Sequence, residues 1–189
     1  MATRLNASQL GDNGVDSRKI KDGSIDLVDL STAVRTAMGN SDGRVLRAAP
    51  LASNFITSST AYVATGVSVP VEANTTYIVD ARTLFTVTIT GNGIGVAFNG
   101  PAGSTFAAQS MIPLTPTTAQ FAVCVGYNNG GFTVSSSIPA AAFYEITTSG
   151  VLVTGATAGT LSLLARAGKS AQSVTVWPGT ILRLERISP

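Results

Sequence analysis

Hydrophobic residues follow two different spacings along the chain. Over the first thirty residues they recur at every fifth position, as Leu5, Leu10, Val15, Ile20, Ile25 and Leu30. Beyond residue 48 they alternate with polar residues in short runs, which is the period expected of β-strands with one buried face. The change of spacing predicts an N-terminal arm at residues 1–39, a linker at residues 40–48 and a β-rich head at residues 49–189.

Turn-forming tetrads separate the hydrophobic residues of the arm. Gly-Asp-Asn-Gly at residues 11–14 precedes Val15, and Lys-Asp-Gly-Ser at residues 21–24 precedes Ile25. Each tetrad favours a turn between two short extended pieces, because glycine adopts positive φ and Asp or Asn side chains bond their own backbone. One arm has too few apolar side chains to fold alone, but the arms of several chains wound about one axis can bury them together. The alternatives are an arm that docks on a partner's sheet edge and a flexible tail with a coincidental spacing.

A short helix is predicted near the end of the arm, at about residues 26–38. Leu27, Leu30, Val34 and Met38 follow one another at spacings of 3, 4 and 4 residues, which places them in one apolar stripe. A helix of this length is too short to be stable alone in water. We therefore expect its stripe to pack against the same helix of neighbouring chains or against the chain's own head.

Alternating runs bounded by turn residues predict that the head is all-β, an antiparallel sandwich of jelly-roll type without a helix. The turn signals include residues 128–131, Asn-Asn-Gly-Gly, which favour a tight hairpin. Ser149-Gly150 and Trp177-Pro178-Gly179 are further turn signals. The predicted strands are residues 61–70, 76–90, 93–99, 118–127, 131–136, 142–147, 151–154, 160–166, 172–177 and 181–187.

Charged residues are concentrated at the start of the chain. Residues 1–47 hold 13 of the 22 charged side chains, and residues 83–144 hold none. Polar residues interrupt this uncharged run too often for insertion into a membrane, and a net charge of +2 without a basic cluster does not predict nucleic-acid binding. Strand edges with few charges favour edge-to-edge association. We therefore expect a homo-oligomer, and a homotrimer suits both a wound arm and a packed sandwich.

No residue pattern predicts catalysis. The chain contains no His, which removes the commonest general base and the commonest metal ligand. Its serines therefore have no histidine to activate them, and its carboxylates do not have the spacing of a calcium loop. We expect no catalytic residue, no cofactor and no metal, so the protein is not predicted to be an enzyme.

Three short features have structural interpretations. The glycine-rich segment at residues 91–95 is followed by strand-like residues, so it predicts a hairpin and not a phosphate-binding loop. Asp80 and Arg82 share one face of a predicted strand, where a salt bridge is expected. Cys124 lies in an alternating apolar run and is expected to be a buried free thiol.

Two segments of the chain resemble parts of tailed-bacteriophage fibre and head-decoration proteins. Residues 15–30, VDSRKIKDGSIDLVDL, are similar to a segment near the start of such proteins. The stretches GVLV at residues 150–153, AGTLSLLA at residues 158–165 and SVTVWPGTILRLER at residues 173–186 are similar to the closing strands of their globular heads. Together these stretches cover about half of the chain.

The resemblance implies a trimeric structural protein on the virion surface, made in the host cytoplasm. Residues 1–39 would bind the major capsid protein or another virion protein, and the head would project outward as a capsid decoration or head fibre. A short tail fibre that recognises a host surface glycan is the alternative, with Tyr127 and Trp177 as candidate contacts. The residues expected to anchor the arm or to join its copies are Leu5, Leu10, Val15, Ile20, Ile25, Leu27, Leu30 and Val34.

Overall fold

A computed structural model describes residues 46–115, 117–127 and 138–188. The predicted arm, its helix and its anchoring residues lie outside these ranges. The predicted hairpin at residues 128–131 and the predicted strand at residues 131–136 also lie outside them.

The described residues form eleven β-strands and contain no helix, which confirms the prediction of an all-β head. The strands are β1 (Leu46–Pro50), β2 (Phe55–Thr57), β3 (Val63–Val71), β4 (Thr76–Val87), β5 (Ile94–Asn99), β6 (Thr105–Pro113), β7 (Ala119–Val125), β8 (Tyr144–Val153), β9 (Gly159–Ala167), β10 (Val174–Val176) and β11 (Ile181–Ser188).

The strands form two antiparallel sheets. The larger sheet has the order β1-β11-β4-β8-β6-β7, and β10 pairs with both β2 and β4 beside this path. The smaller sheet has the order β3-β9-β5. Three of the pairings are nested along the chain, because β1 pairs with β11, β3 with β9 and β4 with β8. Each of these pairs therefore joins two strands that are far apart along the chain, with other strands of the head between them in sequence.

A single cluster of buried side chains draws on both sheets, which gives the head a β-sandwich-like arrangement. Strand β3 shows how the sequence produces it, because Val67, Val69 and Val71 are buried while the residues between them are exposed. Strand β11 follows the same rule, with Leu182 and Leu184 buried and Arg183 between them exposed. Each fully buried aliphatic side chain stabilises the fold by roughly 1.5–3 kcal/mol relative to an exposed one.

Strand β8 crosses the position where the sequence predicted a break. Ser149 and Gly150 lie inside the strand, so their interpretation as a turn was wrong. Gly150 pairs with Val79 on one side and Ala108 on the other. A Cβ atom at Gly150 would lie 2.5 Å from the Ala108 Cβ and 2.5 Å from the Ala107 carbonyl oxygen. The glycine therefore permits close approach of β6 to β8 and does not mark a turn.

The glycine-rich segment after β4 does not form a hairpin between its flanking strands. It carries the chain from β4 in the larger sheet to β5 in the smaller sheet. Asn92 is fully buried there; its Nδ2 donates to the Ser173 carbonyl at 3.2 Å and its Oδ1 accepts from the Lys169 backbone N–H at 3.1 Å. The predicted hairpin was therefore wrong: this segment connects the two sheets, and the buried side-chain amide of Asn92 fixes it by hydrogen bonds.

Strands β1, β2 and β6 were not predicted from the sequence. Strand β1 begins at Leu46, inside the predicted linker. Strand β6 was missed because two of its inward positions carry the small residues Ala108 and Ser110. The Ser110 hydroxyl is fully buried and shares a hydrogen bond of 2.5 Å with the buried Thr148 hydroxyl of β8. Because that bond satisfies both hydroxyls, a polar residue can occupy a core position.

Candidate functional site

The outward face of the larger sheet presents two different surfaces side by side. On β4, Tyr77, Val79 and Ala81 point into the core, so Ile78 and Arg82 lie on the outward face. The same alternation continues through β8, β6 and β7 because these strands pair in register. One half of this face, near β7, is apolar, and the other half, near β11, is charged.

The apolar half is here named the apolar strip. Its most exposed members are Phe121, Val123 and Val125 of β7, with exposed fractions of 71%, 69% and 71%. Met111 lies directly opposite Phe121 on the neighbouring strand. Together with these four, the exposed members of the strip are Ala107, Val151, Val153 and Ile78.

The register makes the strip continuous across four strands. Val125 of β7 is opposite Ala107 of β6, Ala107 is opposite Val151 of β8, and Val151 is opposite Ile78 of β4. Side chains directly opposite one another on one face of a sheet are in contact range. The strip is therefore one surface and not a scatter of separate exposed residues.

No exposed apolar surface was predicted on β7 from the sequence. Strand β7 alternates Phe121, Val123 and Val125 with Gln120, Ala122 and Cys124. Cys124 is fully buried, as predicted, and the three large residues therefore lie on the opposite, exposed face of the strand. A strand pattern shows that two faces differ and does not show which face the core takes.

The charged half contains side chains of both signs from three strands. Arg183 of β11 lies opposite Asp80 of β4. Arg82 pairs with Glu145 of β8 at 3.8 Å between Nη1 and Oε1. The predicted salt bridge between Asp80 and Arg82 is therefore replaced, because Arg82 reaches across to the next strand. Both members of the Arg82–Glu145 pair are well exposed, so the pair adds little to stability.

A groove lies within the charged half. It has a volume of about 190 Å³ and is lined by Ile78, Asp80, Arg183 and Glu185. Pockets for small molecules usually measure roughly 300–1,000 Å³ and are mostly enclosed by apolar side chains. The described residues contain no cluster of three side chains suited to hold a metal ion. The groove is therefore smaller than a usual small-molecule pocket.

Tyr127 and Trp177, the candidate glycan contacts, occupy different surroundings. Tyr127 packs against the core and stacks on Phe106 with ring centroids 5.8 Å apart, and burial raises the pKa of its phenol. Trp177 donates from Nε1 to the Thr86 hydroxyl at 3.0 Å and lies 5.3 Å from the ring of Phe143. Because Phe143 is 59% exposed, the Phe143–Trp177 pair presents aromatic surface outward, whereas Tyr127 serves mainly as packing.

Cys124 is a buried free thiol, as its sequence context predicts. Its Sγ lies 3.4 Å from the Gly126 carbonyl, to which it donates. Burial raises the pKa of this thiol, because the charged thiolate loses hydration inside the protein. Since the thiolate is the reactive form, Cys124 is a structural residue and not a nucleophile at neutral pH.

The chain matches no protein-family model and no curated protein. Among solved structures, it is similar to the infectious bursal disease virus VP2 subviral particle, with 14% identity, a TM-score of 0.25, and coverage of 77% of this chain and 42% of that chain. The Gx strain of the same virus gives 11% identity, a TM-score of 0.26, and coverage of 77% and 40%. This chain thus spans less than half the length of these proteins, and at such TM-scores the similarity carries no argument about function.

No helix long and apolar enough to cross a membrane occurs in the described ranges.

Proposed function

We propose that this protein is a structural component of a tailed-bacteriophage particle, either a capsid decoration protein or a head fibre. It assembles as a homotrimer, residues 1–39 attach it to the major capsid protein or another virion protein, and the head faces outward. The observation that carries the proposal is an all-β head whose largest sheet presents the apolar strip on its outward face. Such a surface suits a protein that works by contact with other subunits.

The nested strand pairing supports this proposal. Pairs β1–β11, β3–β9 and β4–β8 enclose one another and distribute over two sheets, as in a jelly roll. Jelly rolls occur in viral capsid proteins and in lectins. Fold alone does not assign function, so the proposal also uses the sequence resemblance of residues 15–30 and of the closing strands to phage fibre and decoration proteins.

The low charge of the head supports permanent assembly. Residues 83–144 contain no charged side chain, and the buried hydroxyls of Ser110 and Thr148 are hydrogen-bonded to each other. A free monomer with few charges has little protection against association through its strand edges. A protein that is always assembled on a particle does not need that protection.

Removal of residues 1–39 tests the arm. We expect the truncated protein to keep its β-structure and to lose attachment to particles, because the proposal places the anchor in the arm. Attachment is measured by sedimentation of purified protein with particles that lack it, and folding by circular dichroism. Binding of the truncated protein at the level of the full chain would contradict the proposal.

A double substitution within the full chain gives a finer test. Ile20→Asp with Ile25→Asp should abolish attachment or trimer formation, because each buried aliphatic side chain contributes roughly 1.5–3 kcal/mol in every subunit. Ser17→Asp with Ser24→Asp is the matched control, since it adds the same charge at positions off the five-residue spacing. Equal behaviour of the two double variants would mean that the spacing has no role.

The number of copies of the protein per particle distinguishes a location on the capsid from a location on the tail. Hundreds of copies are expected for a capsid decoration protein, and a handful for a tail fibre.

Binding of a host surface glycan by a short tail fibre is the second candidate function. The observation that favours it is the exposed Phe143–Trp177 pair, because sugar rings bind to aromatic faces. Phe143→Ala should weaken binding to host polysaccharide by roughly tenfold or more, as expected for an aromatic contact at the centre of a site. Ile89→Ala, another exposed apolar residue, is the control and should leave binding unchanged. Absence of polysaccharide binding by the unaltered chain would eliminate this candidate.

A further inference from the structure

The apolar strip is large enough to be an interaction site. It extends over four neighbouring strands, β7, β6, β8 and β4. Strands lie about 4.8 Å apart and outward residues about 6.8 Å apart along each strand, so the eight members of the strip cover roughly 260 Å². Contiguous exposed apolar patches of a few hundred Å² are commonly functional.

The whole outward face of the larger sheet has the area of a stable interface. Six strands in the order β1-β11-β4-β8-β6-β7 give a face of roughly 800 Å² by the same spacings. A standard protein–protein interface buries about 800 Å² on each partner. The face therefore has the area that one partner contributes to such an interface, with the apolar strip in one half and the charged residues in the other.

The charges on this face are mixed in sign. Arg82 and Arg183 lie among Asp80, Glu145 and Glu185, and neighbours on adjacent strands alternate in sign. A strongly basic or acidic partner, such as a nucleic acid, would meet like charges as well as opposite ones. A second copy of this chain carries the same mixture of positive and negative side chains. Its approach is therefore not opposed by an electric field of one sign.

We propose that a second copy of this chain covers the apolar strip, which makes the outward face of the larger sheet the contact between heads. This inference rests on the proposed function, in which the protein is a homo-oligomer, and it names the surface that the heads use. Burial of Phe121, Val123 and Val125 removes the most exposed apolar side chains from water. Apolar burial is the main favourable term in such association.

The test measures the accessibility of the strip in the full-length chain. Ala107→Cys places a thiol at the centre of the strip, and Ala64→Cys places one on the exposed side of β3 in the smaller sheet. Both are alanine-to-cysteine changes at exposed strand positions, and the native Cys124 is buried in both. We expect the thiol of the Ala107→Cys variant to react with a maleimide at least about tenfold more slowly than that of the Ala64→Cys variant, because an interface thiol reacts only when the contact opens.

A second pair of variants shows what covers the strip. Phe121→Lys with Val123→Lys, added to Ala107→Cys, should restore fast labelling, whereas Ile56→Lys with Ile89→Lys should not. All four positions carry exposed apolar side chains, but only the first two belong to the strip. Under the conditions in which the thiol of the Ala107→Cys variant is protected from the maleimide, light scattering should give a molecular mass of more than one chain.

The possible outcomes separate this inference from the proposed function. Equal labelling of the Ala107→Cys and Ala64→Cys variants would overturn the inference, and retained attachment of the same variants to particles would leave the proposed function standing. Protection with the mass of a single chain would also overturn it, because the strip would then be covered by the chain itself. Slow labelling that is lost only with the Phe121→Lys and Val123→Lys pair, at an oligomeric mass, supports it.

Discussion

Phe106→Ala should lower the free energy of unfolding of the protein by about 3–5 kcal/mol. Phe106 is fully buried, and its ring lies between those of Phe98 and Tyr127, with centroids 5.0 Å and 5.8 Å away. Truncation removes the buried area of the ring and leaves a cavity that neighbours on two strands cannot fill. It also removes the ring contacts of Phe106 with Phe98 and Tyr127.

Chemical denaturation with urea, followed by tryptophan fluorescence, measures this loss. Phe143→Ala is the matched control, because it deletes the same side chain at a position that is 59% exposed. We expect the control to change the free energy of unfolding by about 1 kcal/mol or less. A loss of similar size in both variants would contradict the placement of Phe106 in the core.

Gly150→Val should destabilise the fold by about 3 kcal/mol, at the upper end of the usual cost of overpacking. The added Cβ would lie 2.5 Å from both the Ala107 carbonyl oxygen and the Ala108 Cβ. One of these atoms belongs to the backbone of β6, so no side-chain rotation relieves the contact. Strands β6 and β8 would have to separate locally, which weakens the ladder that joins them.

The control for Gly150→Val is Ser149→Val, one residue earlier in the same strand. Ser149 is exposed on the outward face, where a β-branched side chain is tolerated and favours the strand. We expect this control to stay within about 0.5 kcal/mol of the unaltered protein. The mid-point of thermal or urea unfolding measures both variants. A loss at position 150 no larger than that at position 149 would contradict the close approach of β6 to β8 at this glycine.

These two predictions test different features of the sandwich. Phe106 reports on the packing between side chains, and Gly150 reports on the approach of two backbones within the larger sheet. Both residues lie on strands that carry the apolar strip on their other face. A loss of core packing in β6 or β8 would therefore also disturb the outward face, so tests of the strip should use outward-pointing residues such as Phe121 and Val123.

Sequence patterning located strands β4, β9 and β11 of the head well. The predicted strands at residues 76–90 and 181–187 correspond to β4 (Thr76–Val87) and β11 (Ile181–Ser188). The predicted strand at residues 160–166 corresponds to β9 (Gly159–Ala167). Strong alternation of β-branched or aliphatic residues with polar ones defines these elements, because successive side chains of a strand point to opposite faces.

The candidate site was harder to predict than the strands that carry it. Trp177 was selected from the sequence, but its exposed neighbour Phe143 was not. Arg82 was assigned to Asp80 on its own strand, whereas the pairing of β4 with β8 brings Glu145 within its reach. The partners that create both arrangements are distant along the chain, so no local pattern could reveal them.

By itself, the sequence determined that the head is built of antiparallel strands and that Cys124 is a buried thiol. Only the tertiary structure decided that the exposed residues of β7 adjoin those of β6, β8 and β4 in one apolar strip, that Gly150 lies within a strand, and that Ser110 belongs to the core. The physical reason is that alternation has two equivalent settings on a strand. The neighbours that choose between them, such as Thr148 opposite Ser110 and Ala108 opposite Gly150, are supplied by strands from elsewhere in the chain.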